Sequence, residues 1–268
     1  MSDFLATVAE EQRARVAALR SRRRELAGHA KSLGRTPLDL AAALRSAGAG
    51  GAVAIIAEVK RRSPAAGELG AITDPGALAL QYAVGGAAAI SVLTEGPHFH
   101  GSLDDLSRVR DCVRLPVLRK DFIVDELQLL EALAYGADAV LLIAELFEDA
   151  VLAGLVRAVR DLGLSPLVEA HEPEALDRAI ASGATIIGIN QRDLRTLELD
   201  RGTVARLAGH VPADRVLVAE SGVAVPADVR ALPPRVDAVL VGSALVRAAE
   251  ARALVRDLAD ARRAEVSS

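Results

Sequence analysis

The sequence predicts an α/β fold in which eight parallel strands, each followed by a helix, close into a barrel. From residue 52 onward, short apolar runs rich in β-branched residues alternate eight times with helical patterns. Hydrophobic residues make up 51% of the 268 residues but aromatic residues only 2%, so we expect a core of Ala, Val, Leu and Ile, typical of buried parallel strands. Eight strand–helix units in a chain of this length indicate a (β/α)8 TIM barrel.

A helical N-terminal extension, residues 1–50, is predicted to precede the barrel. Asp3 can cap a helix over residues 3–30, and a second short helix follows Thr36-Pro37. The apolar stripe of this second helix is Leu38, Leu40 and Leu44. The basic run at 20–24 has no interleaved aromatic residues and adjoins a glutamate, so it indicates a solvated helix face and not nucleic-acid binding.

The barrel elements follow in a regular order. The strands are predicted at 53–60, 87–93, 115–120, 138–143, 164–169, 184–190, 215–220 and 236–241. The helices are predicted at 75–84, 103–110, 125–134, 148–160, 173–181, 201–207, 226–231 and 244–263. A doubly wound open sheet is the competing fold, but no strand is followed by a GxGxxG turn. Because no linker interrupts the pattern, we expect one domain over 1–268, with the barrel over 52–264.

Composition and charge count against several functional classes. The net charge of −4 does not indicate a general polyanion-binding surface. The single cysteine, Cys112, excludes an internal disulfide, suits a reducing compartment and is interpreted as a packed thiol. No apolar run is long enough to span a bilayer, and the N-terminus lacks a signal-peptide pattern. We therefore expect a cytoplasmic protein that binds neither nucleic acid nor membrane.

Charged residues at the end of the first strand are the first indication of a functional site. Glu58 and Lys60 are two positions apart, so both side chains point to the same side of a strand. Buried charges are costly unless they are paired or have a function. Of the 32 basic residues only Lys31, Lys60 and Lys120 are lysines, and the last two end predicted strands. Unlike arginine, a buried lysine can be tuned to transfer a proton.

Polar residues end six of the eight predicted strands. They are Glu58 and Lys60 on the first strand, Lys120 on the third, Glu169 on the fifth, Asn190 on the sixth with Arg192 beyond it, Glu220-Ser221-Gly222 on the seventh, and Gly242-Ser243 on the eighth. The active site of a (β/α)8 barrel lies at the C-terminal ends of its strands. Each residue alone could belong to a solvated loop, but together they predict an active site that uses general acids and bases.

The last two strand ends indicate a phosphate site. Ser221-Gly222 and Gly242-Ser243 each place glycine beside serine next to a helix start, where barrels bind phosphate through backbone N–H groups. Ser63 in the first loop could complete this site.

The histidines do not indicate a metal site. His98 and His100 form an HxH pair in a Gly/Pro loop with no matching third ligand, so we expect no bound metal. His29, His171 and His210 are isolated in the sequence and are interpreted as surface residues.

The strand-end motifs together resemble indole-3-glycerol phosphate synthases. The matching motifs are 56–60 (IAEVK) with Ser63-Pro64, 91–95 (SVLTE), 101–103 (GSL), 118–123 (LRKDFI), 167–169 (LVE), 188–190 (GIN), 192–194 (RDL), 219–222 (AESG) and 241–243 (VGS). They span nearly the whole chain in the order of the family, which also carries an N-terminal helical extension. Two departures concern loops: Gln191 stands where asparagine is usual, and the loop 96–100 is unusual in its glycine, proline and histidines.

The resemblance implies a carboxy-lyase of tryptophan biosynthesis that needs no cofactor. Its reaction closes 1-(2-carboxyphenylamino)-1-deoxyribulose 5-phosphate to indole-3-glycerol phosphate, with loss of CO₂ and water. The family suggests Lys120 as the acid at the carbonyl oxygen, Lys60 as the partner of the substrate carboxylate and Glu169 as the base. Glu58 would hold Lys60, and either lysine would supply the proton for dehydration.

The remaining residues are expected to bind and position the substrate. Asn190 would hydrogen-bond the reacting oxygens, Glu220 and Arg192 would position the site, Phe122 would shield the aromatic ring, Ser221 would contact the substrate, and Ser63, Gly222, Gly242 and Ser243 would hold the phosphate.

Two alternatives stay open at the level of the sequence. A relative of phosphoribosylanthranilate isomerase would use a cysteine at the end of the first strand, where Lys60 stands here. A catalytically inactive barrel scaffold would be expected to lose its strand-end charges, and these are intact. We expect a monomer, with a weak homodimer as the alternative.

Overall fold

The computed structural model describes residues 3–262, and within them eight parallel strands form a closed barrel. The strands are β1 Ala54–Val59, β2 Ala89–Leu93, β3 Val117–Lys120, β4 Ala139–Ile143, β5 Ser165–Ala170, β6 Ile186–Asn190, β7 Val216–Glu220 and β8 Ala238–Val241. Each strand pairs with the next, and β8 pairs with β1 through Ala54 opposite Ala238. The predicted barrel fold is confirmed, and every predicted strand overlaps an observed one.

Helices cover the outside of the barrel and form the N-terminal extension. The helices are α1 Phe4–Leu19, α2 Arg23–Ser32, α3 Leu40–Ala47, α4 Pro75–Gly85, α5 Leu103–Cys112, α6 Glu126–Ala134, α7 Asp149–Asp161, α8 Pro173–Ala181, α9 Thr203–Leu207, α10 Pro226–Arg230, α11 Ser243–Arg247 and α12 Ala251–Ala259. Within residues 3–262, no helix has the length and apolarity that crossing a membrane requires.

Side chains alternate between the two faces of each strand, and this alternation divides the core. On β1, Ile55, Ala57 and Val59 pack in a large cluster with the surrounding helices, whereas Ala54 and Ile56 belong to a second cluster inside the barrel. The N-terminal extension closes that inner cluster at both ends. Leu40 of α3 covers one end, where its backbone N–H donates to Ser165 at the start of β5, and Leu5 of α1 covers the other.

The N-terminal extension differs from the sequence prediction in its details. The single helix expected over 3–30 is two helices, because a 3-10 turn at Arg20–Arg22 separates α1 from α2. After this turn α2 packs against α6. Such a contact between distant segments cannot be predicted from local helix propensity. Leu38 is 39% exposed and precedes α3, since the Asp39 carboxylate caps that helix by accepting from Ala42 N–H.

Three further expectations about the chain need correction. The helix predicted over 244–263 is interrupted at Ala248, whose extended backbone (ψ 133°) separates α11 from α12. Residue 263 and the predicted barrel boundary at 264 lie outside the described residues. The loop after β1 contains a two-stranded hairpin, Arg62–Ser63 with Gly67–Glu68, that was not predicted. Cys112 is exposed at the end of α5 and is not a packed thiol.

Candidate active site

Strand alternation turns the predicted catalytic side chains toward the inside of the barrel. On β1, Glu58 continues the inward series of Ala54 and Ile56, and on β3, Lys120 follows the inward Leu118 by two positions. The same two-residue spacing relates Leu167 to Glu169 and Val218 to Glu220, and Asn190 follows the inward Ile186 by four positions, which also keeps it on the inward face. The predicted acids, bases and amide therefore meet at one end of the barrel.

A pocket of about 320 Å³ opens at this end. Twelve of the thirteen predicted site residues line it: Glu58, Lys60, Ser63, Lys120, Phe122, Asn190, Arg192, Glu220, Ser221, Gly222, Gly242 and Ser243. The exception is Glu169, which is only 1% exposed and lies beside a separate small cavity. The structure thus gathers the predicted residues and places the expected base behind the pocket wall.

Lys60 and Glu58 form an ion pair at the mouth of β1. The Lys60 Nζ lies 2.8 Å from Glu58 Oε1, as the two-residue spacing predicted. Gly242 at the end of β8 makes room for this pair, since a Cβ atom there would lie 2.4 Å from Glu58 Oε1 and 3.1 Å from Lys60 Nζ. The ion pair therefore requires a glycine at this position of the VGS motif.

Lys120 lies between two buried carboxyl groups. Its Nζ is 3.2 Å from Glu169 Oε2 and 3.5 Å from Glu220 Oε2, and 15% of the side chain is exposed. Burial lowers the pKa of Lys120, but the charges of Glu169, Glu220 and Glu58 outweigh burial and raise the pKa above its ordinary value. Lys120 is therefore cationic at neutral pH.

The two carboxyl groups beside Lys120 have opposite pKa shifts. Burial and the adjacent Glu169 charge raise the pKa of Glu220 well above the usual range of a glutamic acid. Burial also acts on Glu169, but the Lys120 ammonium and the Asn190 amide outweigh it and lower the pKa of that carboxyl. Two carboxylates this close to one lysine cannot both ionise easily. Glu169 is thus the ionised member of the pair and Glu220 the member that holds a proton more tightly.

Glu220 has little support from hydrogen bonds. Both of its carboxyl oxygens are buried, and neither has a hydrogen-bond partner among the described residues. Gly188 on β6 provides the space beside it, since a Cβ atom there would lie 2.3 Å from Glu220 Oε1. A buried carboxyl group without donors is costly to ionise, which is the physical reason for its raised pKa.

Asn190 connects Glu169 to the seventh loop. Its amide Nδ2 donates to Glu169 Oε1 at 2.9 Å, and its Oδ1 accepts from the Ser221 hydroxyl at 2.8 Å. Ser221 and Gly222 both have left-handed backbone, with φ 65° and 77°, a conformation that is uncommon for serine. Gln191, the departure from the family pattern, stabilises this turn because its Nε2 donates to the Ser221 carbonyl at 2.8 Å.

The predicted phosphate-binding residues lie along one side of the pocket. The turn at Ser221 and Gly222 lies on the pocket wall after β7, and loops at this place in a (β/α)8 barrel can bind a phosphate through their backbone N–H groups. Two cations on the pocket wall, Arg201 and Arg247, were not among the predicted site residues. Arg247 lies one helical turn after Ser243 on α11, so its place after the glycine–serine pair was the signal available in the sequence.

Aromatic rings form another part of the wall. Phe122 is 5% exposed, and its ring centroid lies 6.2 Å from that of Phe99 and 6.3 Å from that of Phe4. Phe99 also lines the pocket and was missed, because it belongs to the unusual loop 96–100. Buried Glu95 holds that loop in place by accepting from the backbone N–H groups of His98 and Phe99.

The histidines differ in their surroundings. The His98 Nε2 donates to Glu11 Oε2 of α1 at 2.9 Å. With Glu95, these two residues form a group in which one nitrogen or oxygen atom from each side chain lies within 4.8 Å of the others. His171 is not an isolated surface residue: it is half-buried, and its Nδ1 lies 2.7 Å from the Asn190 carbonyl oxygen. The prediction of an isolated surface residue was wrong for His171, because Asn190 is distant from it in sequence and comes close only through the pairing of β5 with β6.

Fold and site together define a class of protein. A closed (β/α)8 barrel with a lysine shared by two buried carboxyl groups at its strand ends is the arrangement of an enzyme that works by acid–base chemistry. Known proteins narrow this class to one family. The model of indole-3-glycerol phosphate synthase matches residues 5–258, and the chain belongs to this family, as its motifs predicted.

Relatives and solved structures agree with this assignment. The chain is 51% identical over 226 residues to the indole-3-glycerol phosphate synthase of Mycolicibacterium vanbaalenii, covering 84% of this chain and 82% of that protein. It is 52% identical over 221 residues to indole-3-glycerol phosphate synthase 1 of Streptomyces coelicolor, covering 82% and 81%. The tryptophan synthase alpha chain of Legionella pneumophila shares the fold, with a TM-score of 0.62 at 15% identity over 85% of this chain and 98% of that chain.

Proposed function

We propose that this chain is an indole-3-glycerol phosphate synthase, a carboxy-lyase that closes 1-(2-carboxyphenylamino)-1-deoxyribulose 5-phosphate to indole-3-glycerol phosphate. The observation that carries the residue roles is the position of Lys120, 3.2 Å from Glu169 and 3.5 Å from Glu220 on the wall of the pocket. This reaction needs an acid and a base at adjacent atoms of one substrate.

The first step is attack of the arene carbon on the substrate ketone. Negative charge develops on the ketone oxygen, and we assign Lys120 as the group that stabilises this charge and donates a proton to it. The raised pKa of Lys120 suits the role, because the lysine stays charged until an alkoxide, which is a stronger base, forms beside it. Ring closure interrupts the aromatic ring.

Loss of CO₂ restores the aromatic ring without a cofactor. We assign Lys60 as the partner of the substrate carboxylate, since its Nζ is on the pocket wall and is held by Glu58 at 2.8 Å. The C–C bond breaks toward the ring, its electron pair rebuilds the aromatic system, and CO₂ leaves uncharged. The Lys60–Glu58 pair thus positions the leaving group.

Dehydration completes the indole. Hydroxide leaves the former carbonyl carbon with a proton from Lys60 or Lys120, and the neighbouring CH₂ group loses a proton to Glu169. Lys120 and Asn190 cover Glu169 on the pocket side through contacts of 3.2 and 2.9 Å. When Lys120 turns to the substrate oxygen, it releases Glu169 to act as the base.

Binding and orientation use the rest of the pocket. We assign the phosphate to Gly222, Gly242, Ser243 and Ser63, and assign Arg192, Ser221 and Phe122 to contacts with the carbon skeleton and ring. Asn190 and Glu220 would orient the reacting groups. In the isomerase alternative a cysteine would be needed at Lys60, and the single cysteine, Cys112, is exposed at the end of α5.

A direct assay tests the function. The purified protein is mixed with the carboxyphenylamino-deoxyribulose phosphate, and indole absorbance and fluorescence are followed. The chain contains no tryptophan, so product fluorescence has no protein background from that residue. We expect turnover by the wild type and its loss in Lys120→Ala. Tight binding without turnover would contradict the enzymatic proposal and favour an inactive scaffold.

The compartment and the oligomeric state of the protein are further expectations. We propose a cytoplasmic monomer formed by one domain, with a weak homodimer as the alternative. Light scattering over a range of protein concentrations measures the molar mass, which for a monomer stays at 27.9 kDa.

A further inference from the structure

The base Glu169 faces a second cavity that is separate from the substrate pocket. This cavity has a volume of about 10 Å³, near the smallest size that holds one water molecule. Its titratable and charged lining residues are Glu145, Glu169, His171, Glu172, Asp193 and Arg195. Of the predicted catalytic residues, only Glu169 borders it, and Glu169 is absent from the lining of the substrate pocket.

The cavity extends from a buried group to exposed ones. Glu169 is 1% exposed, whereas the side chains of Glu172 and Arg195, which form an ion pair at 3.1 Å, are 42% and 43% exposed. His171 and Glu145 lie between these extremes and are half-buried. The cavity therefore contains a graded series of polar groups from the base to the surface.

One ring nitrogen of His171, Nδ1, makes a hydrogen bond, and the other, Nε2, makes none among the described residues. Its Nδ1 lies 2.7 Å from the Asn190 carbonyl oxygen, which can only accept, so Nδ1 carries the hydrogen. Among the described residues no hydrogen bond involves Nε2. Its backbone N–H donates to Glu145 Oε1 at 2.7 Å, which fixes the two residues relative to each other. A neutral imidazole in this tautomer has an unprotonated Nε2 that can take up a proton.

We propose that this cavity is a proton path by which Glu169 exchanges protons with solvent, and that His171 is the residue that carries them. The inference rests on the proposed function, in which Glu169 takes a proton from the substrate CH₂ group. The Glu169 O–H gives its proton to a water in the cavity, and that water gives a proton to Nε2 of His171. The imidazolium then releases the Nε2 proton to solvent, so only O–H and N–H bonds change.

A separate path has a physical purpose. The next catalytic cycle requires Glu169 to be ionised again. While the indole product occupies the substrate pocket, Glu169 cannot lose its proton to solvent through that pocket. The cavity reaches Glu169 from the side that the product does not cover. Glu145 supports the path, because burial raises the pKa of its carboxyl group and lets it hold a proton in passing.

The substitution His171→Asn can remove proton transfer by this residue and keep its hydrogen bond to the Asn190 carbonyl oxygen. Asparagine places an amide N–H where the histidine has Nδ1–H, so it can still donate to the Asn190 carbonyl, but it cannot be protonated. In His171→Asn we expect the rate of a single turnover with excess enzyme to equal that of the wild type. The steady-state kcat should fall about tenfold, because proton release becomes slow.

Imidazole in the buffer provides the second readout. It should restore the steady-state kcat of His171→Asn in a concentration-dependent way and leave the wild type unchanged. The matched control is His210→Asn, at an exposed histidine on the surface, which should behave as the wild type.

Three outcomes would overturn the inference. A steady-state kcat of His171→Asn equal to that of the wild type would show that the path is not used. An equal loss in single-turnover and steady-state rates, with no effect of imidazole, would show that His171 only positions Asn190. Absence of turnover by the wild type would overturn the proposed function itself and this inference with it.

Discussion

Arg119 and Lys120 are adjacent cations on β3 that occupy opposite faces of one strand. Lys120 points into the barrel and borders the pocket, with 15% of its side chain exposed. Arg119 points toward the helices and is fully buried. Both are paired with two carboxyl groups, so the number of ionic partners does not distinguish them.

The difference lies in how completely the carboxyl groups of each cluster are hydrogen-bonded. Arg119 donates to Asp121 at 2.8 Å and to the Gln128 carbonyl at 2.9 Å, and it pairs with Glu131 at 2.9 Å. The Nη2 of Arg15 in α1 donates to both oxygens of Glu131, at 2.9 and 2.8 Å, so that both carboxyl groups of this cluster accept hydrogen bonds, although the buried Nη1 of Arg15 has no partner among the described residues. This outer cluster is balanced in charge and joins the strand to α6 and to the N-terminal extension.

The inner cluster is incomplete. Three carboxyl groups, Glu58, Glu169 and Glu220, share two lysines, and both oxygens of Glu220 have no hydrogen-bond partner among the described residues. A buried charge with all its partners stabilises one structure, whereas one with too few partners is left with shifted pKa values and free hydrogen-bonding capacity. Both clusters are buried, so the feature that distinguishes the candidate active site is a carboxyl group without hydrogen-bond partners.

The largest effect is expected for Lys120→Met, which removes the inner cation. Without an acid at the ketone oxygen, kcat should fall by about 10²–10⁴-fold, while circular dichroism and chromatographic behaviour remain those of a folded protein. The control is Lys31→Met, at an exposed lysine of α2, which should keep full activity. A kcat near that of the wild type would remove Lys120 from the mechanism.

The outer cluster should respond to Arg119→Met with a loss of stability. The substitution leaves Asp121 and Glu131 buried with fewer partners, and we expect the free energy of unfolding to fall by about 3–5 kcal/mol. Urea denaturation at pH 7 measures it. Arg24→Met, at an exposed arginine of α2, is the control and should change stability little. If Arg119→Met kept its stability and lost only kcat, the distinction between the two clusters would be wrong.

The space beside Glu220 can be tested with Gly188→Ala. The added Cβ atom would lie 2.3 Å from Glu220 Oε1, so the carboxyl group must leave its present position. We expect kcat to fall about tenfold, since small misplacements of catalytic groups have large kinetic effects. Gly154→Ala on α7 is the matched control, because nothing lies within 4 Å of its Cβ position. Equal kcat values for the two variants would contradict the role of Gly188.

The smallest effect, a change in pH dependence, is expected for Glu220→Gln. The pKa of Glu220 is raised in the folded protein, so folding binds its proton more tightly. That contribution to stability is complete below the unfolded pKa of glutamate, about 4.3, and is lost as pH rises through the folded pKa. Glutamine cannot lose a proton, so the variant should gain stability relative to the wild type as pH rises through this range.

Urea denaturation at a series of pH values from 4 upward measures this difference. A constant difference in the free energy of unfolding between the two proteins would contradict the raised pKa. Lowering of the Glu169 pKa has the opposite sign, since its stabilising contribution is present above the unfolded pKa and lost on acidification.

Much of the site was predictable because strands have a two-residue period. Glu58 and Lys60 share a face by spacing alone, and their 2.8 Å contact confirms that expectation. The same period places Arg119 and Lys120 on opposite faces of β3, but the outer cluster around Arg119 was not predicted. Neither the role of Arg119 nor that of His171 could be read from nearby residues, because Glu131 and Asn190 are contacted across elements.

The barrel, the order of its elements, the family and the polar residues at the strand ends are all predictable from the sequence. These follow from local periodicity and from motifs, which are properties of neighbouring residues. Three features of the site appear only in the folded structure: Glu169 lies behind the pocket, it shares Lys120 with Glu220, and a second cavity borders it beside His171. The physical reason is that burial, pKa shifts and cavities depend on side chains from different strands, whose distances are set by barrel closure and not by sequence spacing.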